Sequence, residues 1–261
     1  LRALRTPLNV EKGQNPVAAL QAHADLRHVK LGHLLASEVL GNATLSADFD
    51  GRVSQGGVWG DIAARVLDVE FNGCEYKDID VRGDVENKSF TGHIISKNAP
   101  LDVDIAGTAN FNNQKPLFDF TVELKDADLH AMNINKRDSV SHLSLRANVY
   151  AMGSNVDNLN GRMVVNRGRY IYNTDTLASS IVELTAQSDE NRRSLSLVSD
   201  FADATFTGPT SYVDLAKYLQ EAMRKYLPGL ADKDERYAGS DMGYSALSLK
   251  VKDIDPLLDA V

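Results

Sequence analysis

Carboxylates two residues apart recur along this chain: Asp48 and Asp50, Asp78 and Asp80, Asp102 and Asp104, Asp126 and Asp128, Asp253 and Asp255. In an extended strand, residues two apart share a face. Each pair can therefore offer two oxygens to a calcium ion, or divide acid and base roles. The residues between them are Phe49, Ile79, Val103, Ala127 and Ile254, all apolar. That argues for the plainer role, in which each pair is the wet side of a strand whose other side meets a core. Asp48-Phe49-Asp50-Gly51 begins like a calcium loop but has no acidic twelfth ligand in register. The six histidines, His23, His28, His33, His93, His130 and His142, show no metal-ligand spacing. Cys74 stands beside Glu75 in a turn region with no cation to activate it, and as the sole cysteine it excludes an internal disulfide. Gly56-Gly57-Val58-Trp59-Gly60 precedes a strand instead of a helix, so it reads as a flexible hairpin loop and not as a phosphate cradle. GxSxG, P-loop and GxGxxG motifs are missing from the sequence. The chain reads as a non-enzyme with no metal and no cofactor.

The elements that carry these residues are strands. Leu101, Val103 and Ile105 alternate with Asp102 and Asp104. Phe118, Phe120, Val122 and Leu124 alternate with Asp119, Thr121 and Glu123, and Leu143, Leu145, Ala147 and Val149 alternate with Ser144, Arg146 and Asn148. The period of two repeats from about Ala43 to Gly208. The links between strands are hairpin-sized and rich in turn formers, as in Phe71-Asn72-Gly73 and Gly153-Ser154-Asn155, which favours an antiparallel meander. Ile62/Ala64/Val66 and then Leu67/Val69/Phe71 are two apolar phases in one segment, and predict a bulge near Val66. Leu159 to Val165 and Arg169 to Tyr172 read as two separate strands.

One helix interrupts the rhythm at 211–227. Ser211 and Asp214 have capping-box spacing, Leu215, Tyr218, Leu219, Ala222 and Tyr226 share a face, and Pro228-Gly229 ends it. The chain thus divides into an irregular lead-in with a possible strand (1–40), a β-meander ending in the helix (41–229), a polar linker (230–244) and the start of another β repeat (245–261). It opens on Leu1-Arg2-Ala3-Leu4 and stops at Leu257-Leu258-Asp259-Ala260-Val261, and is expected to be an internal piece of a longer polypeptide.

The net charge of −8 argues against nucleic acid as a partner and against docking on anionic headgroups. No run of 18 apolar residues exists to span a bilayer as a helix. About a dozen strands at roughly 4.8 Å spacing would make a sheet about 55 Å across, with one apolar face to cover. A single helix about 25 Å long cannot cover it. Either the sheet folds on itself into a sealed sandwich or barrel, which periodicity alone favours, or it curls into an open trough whose apolar lining implies a ligand.

A resemblance favours the trough. The segment Phe71-Asn72-Gly73-Cys74-Glu75-Tyr76-Lys77-Asp78-Ile79-Asp80-Val81-Arg82-Gly83, followed by Phe90-Thr91-Gly92, resembles the recurring hairpin of the TamB family. That family belongs to the AsmA-like envelope proteins of Gram-negative bacteria. The likeness continues through Asp102 to Asn110, Phe118 to Leu129, Arg137-Asp138-Ser139 with Asn158-Leu159-Asn160-Gly161, and Ser199-Asp200-Phe201-Ala202-Asp203-Ala204. The order of these hairpins carries the resemblance more than any one of them.

The resemblance implies an all-β, taco-like curved antiparallel sheet with an apolar interior and one amphipathic helix. It implies a periplasmic segment of an inner-membrane-anchored protein that moves phospholipid toward the outer membrane. The partners implied are phospholipid acyl chains and, through other parts of the full-length protein, a BamA-like outer-membrane barrel. The alternative is a scaffold that assembles outer-membrane β-barrels by strand pairing. Shared parity within each strand, joined to the resemblance, assigns the groove lining to Leu45, Phe49, Val69, Phe71, Ile79, Val81, Phe90, Ile94, Val103, Ile105, Phe118, Phe120, Leu143, Leu145, Leu195, Leu197 and Phe206.

Overall fold

The computed structural model describes residues 2–7, 17–30, 32, 39–189, 191–226 and 244–252, with the backbone alone at 2–7 and 220–226. Fourteen strands lie in one curved, unclosed sheet in strict chain order, every neighbouring pair antiparallel. They are β1 (Arg2–Pro7), β2 (Ala18–Lys30), β3 (Leu40–Ser54), β4 (Gly57–Phe71), β5 (Cys74–Glu86), β6 (Ser89–Asn98) and β7 (Leu101–Asn110). They continue as β8 (Leu117–Asp128), β9 (Ser141–Met152), β10 (Asn160–Tyr172), β11 (Asp175–Ser188), β12 (Arg193–Ser199), β13 (Ala202–Gly208) and β14 (Ala246–Val251). At about 4.8 Å per step the sheet measures roughly 62 Å along its hydrogen-bonding direction. The sealed sandwich is overturned, because every strand among the described residues enters one unclosed sheet.

Two features of the sequence shape this sheet. The first is a line of β-bulges at one level of the strands. Register shifts separate Leu26 from Val29, Val66 from the residues that follow it, Leu124 from Ala127, and Asn166 from Arg169. His28, Asp78 and Arg167 take left-handed backbone conformations at that level. The inward residues are three apart instead of two at Leu26/Val29, Val66/Val69 and Leu124/Ala127, and likewise at Tyr76/Ile79 beside Asp78. One extra residue absorbs the change of phase, so apolar side chains stay on one face throughout. The bulge expected near Val66 is present. The two strands expected at Leu159 to Val165 and Arg169 to Tyr172 are one strand, β10, bent at Arg167 and Gly168.

The second feature is glycine on the apolar side. Gly83 pairs with Gly92 and Gly51 with Gly60. A Cβ at either residue of the first pair would meet a neighbouring backbone carbonyl and lie 2.8 Å from the ring of Phe90. Phe49 occupies the same place over Gly51 and Gly60. The backbones close up on this side and the aromatic ring fills the space, which bends the sheet toward its apolar face. The glycine run at 56–60 is thus not a flexible loop. Only Gln55 and Gly56 form the turn, and Gly57 to Gly60 belong to β4.

The possible strand of the lead-in is β2, which runs from Ala18 to Lys30, and most of 31–40 lies outside the described residues. Helix α1 (Tyr212–Tyr226) follows β13. The Ser211 hydroxyl accepts from the Asp214 amide at 2.9 Å and donates to its carboxylate at 2.8 Å, so this cap fixes where the helix begins. After 227–243, outside the described residues, β14 returns to pair with β13 and continues the same sheet.

Candidate functional site

Following cross-strand partners, one row of side chains runs Ala22, Phe49, Ile62, Gly83, Gly92, Gly107, Phe120, Val149, Met163, Leu184, Leu197, Ala204, Leu249. The row flanking it on the side of the β3–β4, β5–β6 and β11–β12 hairpins, here the hairpin-side row, includes Leu20, Val85, Phe90, Ala109, Phe118, Ala151, Ala186, Leu195, Phe206 and Leu247. The row on its other side includes Ala24, Ala47, Ala64, Val81, Ile94, Ile105, Val122, Ala147, Val165 and Val182. None of these positions from β2 to β14 carries a charge. Ser96 and Ser199 do fall on the face, and each hydroxyl is spent on a carbonyl of its own hairpin, Leu101 at 2.8 Å and Ala202 at 2.6 Å. A buried hydroxyl paired in this way exerts little polar pull on a neighbour.

The register puts the expected lining on this face. Leu45 is opposite Val66, Val69 opposite Ala43 and Tyr76, Val81 opposite Ile94, Val103 opposite Leu124, Leu143 opposite Ala127, and Leu197 opposite Leu184. Their surroundings differ. Val103 is 6% exposed and Phe206 2%, whereas Phe71 stands at the lip, 45% exposed and tilted against Tyr76 at 6.5 Å. Leu45, Phe49, Phe118, Phe120 and Leu145 are half-buried, as expected of a face without a second sheet over it. The parity reading passed over β10 and β11, where Met163, Val165, Val182 and Leu184 continue the rows. Their alternation was visible in the sequence.

The opposite face carries the charge. Across it run His23 to Asp48 at 2.6 Å, Arg65 to Asp78 at 2.9 Å, Arg146 to Glu123 at 2.7 Å, His142 to Asp126 at 2.9 Å and a bidentate Arg162 to Glu183 pair. Thr91 and Thr108 share a hydrogen bond at 2.9 Å. All these groups are solvated, so each pair adds only a little stability. Asp102 and Asp104 lie on this face, as do the other Asp-x-Asp pairs within the described residues; Asp253 and Asp255 are outside them. Asp61 is opposite both Asp50 and Asp84, and its hydrogen bond with Asp84 raises its pKa. Among the described residues, no cluster of three or more metal-ligating side chains occurs. Shallow depressions between upright side chains also lie on this wet face. One of about 700 Å³ is lined by Tyr150, Arg162, Thr185 and Gln187 among others.

Several residues of the apolar face are buried, Ala43, Val103, Ala127 and Ala147 among them. Near the β4–β5 hairpin, Tyr76 and Cys74 are buried together, and desolvation with the neighbouring thiol pushes the Tyr76 phenol up to about 12. The loop between β8 and β9 leans toward this end, its Asn133 amide donating to the Asn72 carbonyl at 3.2 Å. Over β11 to β13, Tyr212 and Leu215 of α1 bury Ala186 and Phe206, with Leu195 against them. Ala222 and Tyr226, also expected on the helix's apolar face, have no described side chains. No helix of the described residues is long and apolar enough to cross a membrane. Set against protein-family models, curated proteins and solved structures, the chain matches none of them.

Proposed function

We propose that this chain is a hydrophobic conduit segment, whose open apolar face carries phospholipid acyl chains while the headgroups stay in water. One observation supports this above all: charge-free rows of side chains run unbroken across thirteen strands of one unclosed sheet. Each methylene kept from water is worth about 0.8 kcal/mol, so a 16-carbon chain exposed to water costs on the order of 12 kcal/mol. A lining without directional contacts removes most of that cost and leaves the chain free to slide. The reading includes the setting that the TamB resemblance implies, the periplasm of a Gram-negative cell, with the full-length protein anchored in the inner membrane and meeting a BamA-like barrel elsewhere. It includes no catalysis. Strand-pairing assembly of barrels is the second reading, and β14 favours it, since every residue from Ala246 to Val251 is exposed.

The test is a charge placed on the face. In a conduit, Leu145→Asp keeps a hydrated carboxylate, so the protein stays folded by circular dichroism. Transfer of a fluorescent phosphatidylethanolamine between vesicles then falls by at least tenfold. Loss of the fold at Leu145→Asp, or transfer at the unaltered rate, would refute the conduit. Val103 is unsuited to this test, because a carboxylate at that buried position destabilises an open or a sealed sheet alike.

A further inference from the structure

The apolar face is not uniformly open, and over β11 to β13 the cover is a helix. Along the hairpin-side row, Ala109 and Ala151 are half-buried, but Ala186 is 7% exposed and Phe206 2%. What covers the last two is the first turn of α1, with Leu215 at 2%. This turn is tied down on several sides. The Tyr212 hydroxyl lies 2.9 Å from the Gln187 carbonyl and 2.8 Å from that of Ser194, at the end of the β11–β12 hairpin. The Tyr212 amide donates to the Asp157 carboxylate at 2.8 Å. Arg193 joins the same corner, donating to the carbonyls of Asp157 at 2.9 Å and Pro209 at 2.7 Å. Beyond the turn the hold loosens, and Tyr218 and Leu219 are more than a third exposed. On the far side Leu249 of β14 is exposed again.

We propose that the first turn of α1 is a stopper latched onto the groove, which shuts its β11–β13 stretch to lipid and confines acyl chains to the stretch from β2 to β10. This rests on the conduit reading and specifies its extent. The occupant of the closed stretch is the chain's own helix. A guest could enter only by displacing Leu215 and breaking the Tyr212 ties, whereas Phe49 and Phe120 need nothing removed. The stopper also separates the long open stretch from the apolar residues of β14, so passage between the two requires α1 to lift.

Two readouts on the whole chain test it. In a Cys74→Ser background, maleimide should alkylate Ala109→Cys and Ala151→Cys at least tenfold faster than Ala186→Cys. Leu215→Asp should erase that difference, and the milder Tyr212→Phe should narrow it if Leu215→Asp fails to fold. Equal rates in the unaltered helix, or a difference that survives both changes, would overturn the stopper with no lipid involved. In parallel, benzoylphenylalanine replacing Phe49, Phe120 or Phe206 is irradiated with phosphatidylethanolamine vesicles. Capture is expected at the first two and at least tenfold less at the third, rising there when Leu215 is Asp. Capture at Phe206 equal to that at Phe120 in the unaltered helix overturns the stopper. Absence of capture at Phe49 and Phe120, with the thiol difference intact, refutes the conduit and leaves α1 as a cover on an apolar face.

Discussion

At the scale of single residues, the two faces behave as different media. On the wet face His23 reaches Asp48 at 2.6 Å and Asp25 at 3.0 Å. The hydrogen bond to Asp48, then that to Asp25, raises the His23 pKa, and His23 in turn lowers that of Asp25. The signs follow. The raised histidine contributes stability below its ordinary value near 6.5, lost as pH rises through its folded pKa. The lowered aspartate contributes above its ordinary value near 3.8, lost as pH falls through its folded pKa. Titration by NMR should place His23 above 6.5, and Asp48→Asn should bring it back toward that value; an unmoved His23 would contradict the hydrogen-bond account. Both groups are open to solvent, so thermal stability should barely change. The same reasoning makes alanine at Asp102 with Asp104 nearly neutral for stability, checked by urea unfolding. These assignments were legible in the sequence because an aspartate between apolar neighbours in a strand has only one solvated side to occupy.

At the scale of elements, departures from a flat strand give the sheet its shape. Alternation showed where strands run, and the phase change at Val66 to Val69 showed one bulge. The bulge in β10 was missed because Asn166, Arg167 and Gly168 read as a polar gap, and a polar gap looks the same as a loop. The glycines on the apolar side were missed for a related reason, since a glycine has no side chain to vote for a face. Their position matters because the neighbouring strand closes up against them. Gly83→Val or Gly92→Val should therefore destabilise the protein by about 1–3 kcal/mol by overpacking against Phe90 and the opposite backbone. Urea denaturation of each variant checks this; a neutral effect would mean that these glycines do not bend the sheet. The start of α1 was legible to within one residue because Ser211 and Asp214 form the cap that their spacing suggests. Which strands the helix covers was not legible, because that depends on how the hairpins before it turn.

At the scale of the whole molecule, each described strand is hydrogen-bonded only to the strand before it and the strand after it. Such a chain resembles a linear array more than a globule, with stability a sum of neighbour terms and little to couple its distant parts. The groove follows from that arrangement. A sheet that grows by one hairpin at a time can keep an apolar face as long as its sequence keeps the phase, and no closing contact limits its length. The open form was legible in the sequence only through a resemblance, because alternation is equally compatible with a sealed sandwich. The consequence for folding is that unfolding should not be all-or-none. Native-state hydrogen exchange in increasing urea should show the strongest protection in β4 to β10, whose strands are long and paired on both sides. Amides of β13 and β14 should open at lower urea, in steps moving inward, because no residue of β14 is buried and it pairs on one side alone among the described residues. Leu215→Asp should extend this early opening to β11 and β12 while leaving β4 to β8 protected. A single urea dependence shared by amides from β4 to β14 would instead mean that the sheet unfolds as one cooperative unit, and would remove the basis for treating its stretches as separable.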